Sequence, residues 1–150
     1  MSARTKARKE VLDQLFAADL RGKEITIPEE IRDYGRELLI GILEKKNRID
    51  ELIRSYSQGW DIDRLPAVDR NILRIAIYEL LWSKEVPEAV AIDEALSAHP
   101  PVTCNMWDIV VLRVLLSQRA NHHTERWIGV HLGDCVCYGL RSDEFVLWIL

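Results

Sequence analysis

The sequence predicts an all-α fold, a bundle of two small packed helical subdomains with an atypical C-terminal third. Up to about residue 96, each long segment has apolar residues at the spacing of one face of a 3.6-residue helix. Gly22, Pro28, Gly59, Pro66 and Pro87 lie at the ends of these segments, where helices begin and end. With 48% hydrophobic and 29% charged residues, the chain has a globular composition and can bury a core. Its 150 residues suffice for one domain or for two small bundles that share an interface.

The central element is predicted to be a buried helix over Pro66–Leu81. A proline suits its first turn because the missing N–H is not needed there, and Asp69 lies near the positive end of the helix dipole. On the opposite face, Arg70, Arg74 and Tyr78 recur at i, i+4 and i+8 and form a polar ridge. We interpret this polar ridge as either a solvated face or a docking surface. The apolar stripe of the helix consists of Ile72, Leu73, Ala76, Ile77 and Leu80.

The first helix is expected from about Arg4 to Leu20 and to end at Gly22. Residues 1–9 contain four cations and no acid, although cations in a first turn oppose the helix dipole by about 0.3–1 kcal/mol each at low salt. Something other than helix stability therefore accounts for them. The apolar stripe of this helix consists of Val11, Leu12, Leu15 and Phe16, and its basic segment consists of Arg4, Lys6, Arg8 and Lys9.

The basic segment is a candidate binding site for a phosphate backbone. Arg4 and Arg8 fall on the same side as the apolar stripe, so we expect them to project from the rim where the core ends. A phosphate backbone is the natural ligand for such a rim, since each neutralised phosphate releases counterions. The alternative is a frayed and solvated basic N-terminus.

Residues 1–60 are predicted to form an N-terminal three-helix subdomain. A second helix begins at Pro28, and a break over residues 44–47 separates it from a third helix that ends near Tyr56. Residues 57–65 mix turn formers with a bulky aromatic, as expected of a link, and Trp60 and Leu65 are expected to fill the junction. Residues 61–96 are predicted to start a C-terminal helical subdomain, in which a last short helix runs from Glu88 to Leu96 after a proline.

Charge and hydropathy restrict the function classes. The net charge of −4 argues against an overall basic nucleic-acid binder, so any RNA or DNA contact must come from a local patch. No apolar region follows the basic segment as in a signal peptide, and no run reaches the roughly 18 apolar residues that span a bilayer. We therefore expect a cytoplasmic protein with no membrane contact.

Several sequence blocks in residues 1–96 occur in a characteristic order. The blocks are Arg4-Thr5-Lys6-Ala7-Arg8 leading into Leu15-Phe16, then Asp50-Glu51-Leu52-Ile53, then residues 68–80, then Val86-Pro87, and finally residues 89–95. Together they resemble the NusB family of bacterial transcription antitermination factors. Their order and spacing make the match specific, although no single block would suffice.

The resemblance implies a protein without catalytic activity or cofactor. It implies binding to the boxA RNA of ribosomal RNA transcripts together with the ribosomal protein NusE, within an RNA polymerase antitermination complex, and the chain could also form a homodimer. The positions that match the family's basic RNA contacts are Arg4, Lys6 and Arg8, with Lys9 adjacent, and Tyr56 matches a position on the same RNA-facing side. The positions that match or adjoin its NusE contacts are Phe16, Asp69, Arg70 and Arg74.

Residues 97–150 depart from the family. All three Cys and all four His lie after Leu96, no Lys occurs after Lys84, and the family's Phe-Val-Asn motif is missing. We hypothesise that this divergent tail is translated from a shifted reading frame, which sequencing of the coding DNA tests. If so, the tail must cover the apolar stripe of the second subdomain or leave it exposed, and residues 109–116 are a candidate helix for this.

Two other functions compete with antitermination. The chain could be the NusB-like RNA-binding module of a ribosomal-RNA methyltransferase, but no glycine-rich cofactor loop follows and the remaining residues are too few for that domain. A metal-binding enzyme could use the tail, but its histidines and cysteines lack the paired spacing of zinc sites. The residues concerned are His122, His123, His131, Cys135 and Cys137.

Overall fold

The computed structural model describes residues 1–22, 24–56 and 61–98, and this part of the chain is all helical, as the sequence predicts. No helix within it is long and apolar enough to cross a membrane. In order, the elements are α1 (Ala3–Arg21), α2 (Asp33–Tyr56), a short 3₁₀ helix (Ile62–Arg64), α3 (Ala67–Leu81) and α4 (Glu88–Ala98).

Helix α1 begins and ends close to the predicted residues. The hydroxyl oxygen of Ser2 accepts a hydrogen bond from the backbone N–H of Thr5 at 3.0 Å, which satisfies one of the free donors of the first turn. At the other end, Gly22 has φ 59° and ψ 28°, the left-handed conformation that commonly ends helices and that glycine adopts without strain.

Helix α2 differs from the prediction because it is one continuous helix of 24 residues. The predicted start at Pro28 and the predicted break over residues 44–47 are both wrong, so residues 1–60 contain two helices and not three where they are described. Ile42 and Ile49 lie seven residues apart and are both fully buried, so the apolar stripe stays in phase across the charged residues between them. The placing of a subdomain boundary near residue 60 stays a prediction.

Helix α3 is the central element, as predicted, and packs against α1, α2 and α4. One continuous hydrophobic core contains residues from all four helices. Its members on α3 include the whole predicted apolar stripe, and further members are Val11 and Leu15 of α1, Leu38, Leu39, Ile42, Ile49 and Ile53 of α2, and Ala91 and Ala95 of α4. The fold is therefore held together chiefly by burial of apolar side chains around α3.

The link before α3 is anchored in this core. Ile62 and Leu65 are 1% and 8% exposed and belong to the core, whereas Trp60 lies outside the described residues. The filling of a junction between two subdomains by Trp60 and Leu65 stays a prediction. Helix α4 continues two residues beyond the predicted Leu96. The candidate helix at residues 109–116 and the His and Cys residues of the tail also lie outside the described residues.

Candidate nucleic-acid interface

The four cations of the basic segment divide into two classes. Lys6 and Lys9 are exposed, and neither forms an ion pair within the described part of the chain. Arg4 and Arg8 instead lie against carboxylates of the second half of the fold. The two lysines are therefore the cations of this segment that are most accessible to a ligand.

Arg8 is buried, so the prediction that it projects from the rim is wrong. Its Nε atom donates to both carboxylate oxygens of Glu79, at 2.9 and 3.1 Å, and its Nη1 atom lies 3.4 Å from Oε2 of Glu94. Its Nη2 atom is buried and has no hydrogen-bond partner among the described residues. The physical reason is that α3 and α4 bring these two carboxylates over the side chain, and a buried cation must be paired.

Glu79 is the centre of this group, which we call the Arg8 cluster and which consists of Arg8, Tyr34, Glu79 and Glu94. The Glu79 residue is 1% exposed, and the Tyr34 hydroxyl donates a hydrogen bond to it. Burial raises the pKa of Glu79, although the Tyr34 hydrogen bond and the Arg8 charge act in the opposite direction. Burial, followed by the hydrogen bond to Glu79, raises the pKa of Tyr34.

Arg4 is held more loosely than Arg8. Its Nη2 atom lies 3.1 Å from Oε2 of Glu85, and the two side chains are 46% and 66% exposed. Its guanidinium carbon lies 5.3 Å from the centre of the Tyr34 ring, within the range of a cation–π contact. Because exposed ion pairs stabilise by only about 0–1 kcal/mol, Arg4 can exchange Glu85 for another anion.

The polar ridge of α3 is neither a solvated face nor an exposed docking surface. Arg74 is 4% exposed, and its Nε and Nη2 atoms lie 2.8 and 3.0 Å from the two carboxylate oxygens of Asp50 on α2. Arg70 donates to Asp19 of α1 at 2.9 Å, and the Asn71 amide donates to the same carboxylate at 2.9 Å. The interpretation of the ridge failed because α1 and α2 cover this side of α3, so its charges pair between helices.

Asp19 joins α1 to this interhelical network. Burial alone would raise its pKa, but the hydrogen bonds from Arg70 and Asn71, together with the charges of Arg74 and Arg70, outweigh burial and hold the pKa below its usual value. The carboxylate is therefore stabilised in its charged form.

The third member of the ridge, Tyr78, is half-buried and stacks on Trp82 with ring centres 6.0 Å apart.

The predicted partner-facing residues lie at the other end of α1. Phe16 of α1 is half-buried, and Asp69 in the first turn of α3 is 5% exposed. The contact between Asp19 and Arg70 shows that the last turns of α1 lie beside the first turns of α3, so Phe16 and Asp69 belong to neighbouring segments. Tyr56 is the last residue of α2, and its side chain lies outside the described part of the structure.

Sequence reasoning missed the carboxylates that neutralise the buried arginines. One signal was present for Glu79, which lies seven residues after Ile72 and three after Ala76 and so falls on the apolar face of α3. A carboxylate at a core position requires a cation. Which cation it meets depends on tertiary packing, because Arg8 is 71 residues away in the chain.

A model described as the NusB family matches residues 1–99. The chain belongs to the NusB family. The transcription antitermination protein NusB of Nocardioides sp. is 48% identical to it over 106 residues, which cover 65% of this chain and 78% of that protein. Both findings confirm the resemblance that the blocks in residues 1–96 indicated.

Solved structures of NusB proteins have the same fold. T. maritima NusB aligns with a TM-score of 0.67 at 31% identity, covering 84% of this chain and 97% of that chain. A structure of the antitermination factors NusB and NusE in complex with dsRNA aligns with a TM-score of 0.61 at 22% identity, covering 77% and 97% of the two chains. At 22% identity, the similarity to the complex of NusB, NusE and dsRNA shows only that the fold is shared.

Proposed function

We propose that this chain is a transcription antitermination factor that binds the boxA RNA of ribosomal RNA transcripts together with the ribosomal protein NusE. The observation that carries the proposal is the exposed pair Lys6 and Lys9 on α1, beside the loosely held Arg4, in a chain that belongs to the NusB family. A structure of NusB and NusE with dsRNA supports RNA and NusE as the partner classes.

The RNA-binding role follows from local charge and not from the charge of the whole chain. The net charge is −4, so the chain as a whole carries the same sign of charge as RNA, and a local group of unpaired cations is needed to hold a phosphate backbone. Lysine ammonium groups act as point charges on phosphates and carry no sequence information. Contacts to the bases of boxA must therefore come from other groups, for which Tyr56 is our candidate.

The proposed NusE surface lies at the opposite end of the same helix. Phe16 follows Lys6 by ten residues, which corresponds to about 15 Å along a helix at 1.5 Å per residue. RNA and NusE can therefore bind at the same time without competing for one surface. In this arrangement Phe16 supplies apolar area for the partner. Arg70 stays paired with Asp19 and holds the end of α1, which carries Phe16, beside the Asp69 turn of α3.

The wider assembly follows from the same proposal. A factor that binds nascent RNA and a ribosomal protein would act in the cytoplasm as part of an RNA polymerase antitermination complex. A homodimer would compete with this assembly if it covered the basic segment, so binding should be measured at protein concentrations where the chain is monomeric.

The proposal is tested by fluorescence anisotropy with a labelled boxA RNA and a scrambled RNA of the same length. We expect tighter binding to boxA than to the scrambled RNA, and a further gain in affinity when NusE is added, because two linked contacts share one complex. Equal binding to both RNAs, with no effect of NusE, would overturn the proposal. A matched control is the K6Q/K9Q variant, which should bind both RNAs weakly.

A further inference from the structure

We propose that Arg8 is a positioning residue for RNA binding, and not a phosphate ligand. It acts through Glu79 and Glu94 to hold the first turns of α1 against α3 and α4, and so fixes the place of Lys6 and Lys9. This proposal rests on the proposed function of the basic segment, but it reassigns one of its four cations.

The first argument is that two of the three guanidinium nitrogens of Arg8 already contact carboxylates. Its side chain is 10% exposed, and its Nε and Nη1 atoms contact carboxylates on two different helices. Its guanidinium carbon also lies 5.8 Å from the centre of the Tyr34 ring on α2. A phosphate that took over the Nε and Nη1 atoms would have to displace these carboxylates, which would leave Glu79 buried without its cation.

The second argument is that the first turns of α1 need an anchor from elsewhere in the fold. This part of the helix carries cations and no acid, an arrangement that opposes the helix dipole. Locally, only the Ser2 cap among the described contacts offsets this. Glu94 adds a second attachment, because it accepts a hydrogen bond from the Thr5 hydroxyl at 2.8 Å as well as pairing with Arg8.

The third argument is that the exposed lysines lie directly around the anchor. Lys6 and Lys9 flank Arg8 on the same two turns of α1, so any fraying there moves both of them. Holding cations in one geometry before RNA binds reduces the conformational entropy lost on binding. Arg8 can thus increase RNA affinity without touching RNA.

The test compares two substitutions that remove the same charge. Glu79→Gln weakens the anchor and should lower boxA affinity, whereas Glu85→Gln releases the loosely held Arg4 and should leave affinity unchanged or higher. If Arg8 were instead a phosphate ligand restrained by Glu79, Glu79→Gln would release it and raise the affinity. A rise in affinity for Glu79→Gln would therefore overturn the proposal.

A second test of boxA affinity uses Arg8→Lys, which keeps the positive charge but replaces the guanidinium group. One lysine ammonium cannot reproduce the fork of contacts to two carboxylates, so we expect about a tenfold loss of boxA affinity with an unchanged salt dependence. In the K6Q/K9Q background the same substitution should have little further effect, because Arg8 acts through those lysines. Retained affinity in Arg8→Lys, or a full additional loss in the K6Q/K9Q background, would contradict a positioning role.

Folding must be separated from positioning. Circular dichroism identifies any variant that fails to fold, and Glu94→Gln offers a milder change that keeps the Arg8–Glu79 pair and should give a smaller loss of affinity.

Hydrogen exchange of the α1 amides, which needs no RNA, should be about tenfold faster in Arg8→Lys. Failure of the wild-type chain to bind boxA would overturn the proposed function and this role together, whereas RNA binding with unchanged exchange in Arg8→Lys would overturn the positioning role alone.

Discussion

The Nε and Nη2 atoms of Arg74 lie 2.8 and 3.0 Å from the two carboxylate oxygens of Asp50. This bidentate ion pair joins α3 to α2 inside the fold. The Arg74 and Asp50 side chains are only 5% and 9% exposed. Nη1 of Arg74 also reaches Asp19 of α1 at 3.3 Å, so one side chain connects three helices. This arrangement makes the removal of either partner costly, because the other charge stays buried.

Arg74→Ala should therefore lower the free energy of unfolding by about 3 kcal/mol, the lower end of the range for a broken buried pair, since it leaves Asp50 with Lys46, 3.5 Å away, as its remaining cation. The matched control is Arg48→Ala on α2, whose pair with Glu51 is more than half exposed on both sides. We expect that variant to lose about 0–1 kcal/mol. Urea unfolding followed by circular dichroism measures both, and equal losses in the two variants would contradict the account.

Asp19→Asn should make the protein less sensitive to acid. The folded-state pKa of Asp19 is lowered, so its contribution to stability is present above the ordinary value of 3.8 and is lost as the pH falls through the folded-state value. The variant should be less stable than the wild type by about 1–3 kcal/mol at pH 7, and this difference should shrink below pH 3.8. The raised pKa of Glu79 acts in the opposite direction but is common to both proteins.

Urea unfolding of the wild type and of Asp19→Asn, from pH 7 to below pH 3.8, checks the prediction. Asp13→Asn, at an exposed position of the same helix, serves as the control and should change stability by no more than about 0.5 kcal/mol. A difference between Asp19→Asn and the wild type that stayed constant with pH would show that the Asp19 carboxylate is not specially stabilised.

Gly41→Ala tests the close approach of α2 and α3. A Cβ atom at Gly41 would collide with the ring and hydroxyl of Tyr78, so we expect a loss of about 1–3 kcal/mol from overpacking. In a Tyr78→Ala background the same change should stabilise by up to about 1 kcal/mol, because alanine favours helix more than glycine. Thermal unfolding of the wild type, the two single variants and the double variant checks whether the effect of Gly41→Ala on stability changes sign. A loss of stability in both backgrounds would show that the Tyr78 side chain is not the cause.

Phe16→Ala tests the proposed NusE surface. If the half-buried Phe16 ring anchors NusE, its removal should weaken NusE binding by about 2 kcal/mol in isothermal titration calorimetry. Ile40→Ala on α2 is the control, since Ile40 is 39% exposed and lies on another helix, and it should have a smaller effect. Unchanged NusE affinity in Phe16→Ala, with the fold intact, would remove this residue from the interface.

The helices and the core stripe could be predicted from the sequence because they depend on local patterns. The ends of α1 follow from the turn chemistry around Gly22, and the stripe of α3 follows from its 3.6-residue spacing. The length of α2 was missed because a charged run was interpreted as a break, although Ile42 and Ile49 keep the same phase on both sides of it.

The partners of the charged residues could not be predicted in the same way. Whether Arg8 or Arg74 is exposed depends on which carboxylates other helices bring to it, and those partners lie 71 and 24 residues away in the chain. An arginine beside an apolar stripe is compatible with both a solvated rim and a buried pair. Only packing decides between them, and here it buries both arginines.

The salt dependence of boxA binding tests the central claim, that Lys6 and Lys9 hold the RNA backbone. Each phosphate neutralised on a single strand contributes a slope of about −0.7 to a plot of log K against log salt concentration. The K6Q/K9Q variant should therefore show a slope that is shallower by about 1.4, whereas K45Q/R48Q, which removes the same charge from exposed positions of α2, should show a smaller change. A wild-type slope in K6Q/K9Q would contradict the account.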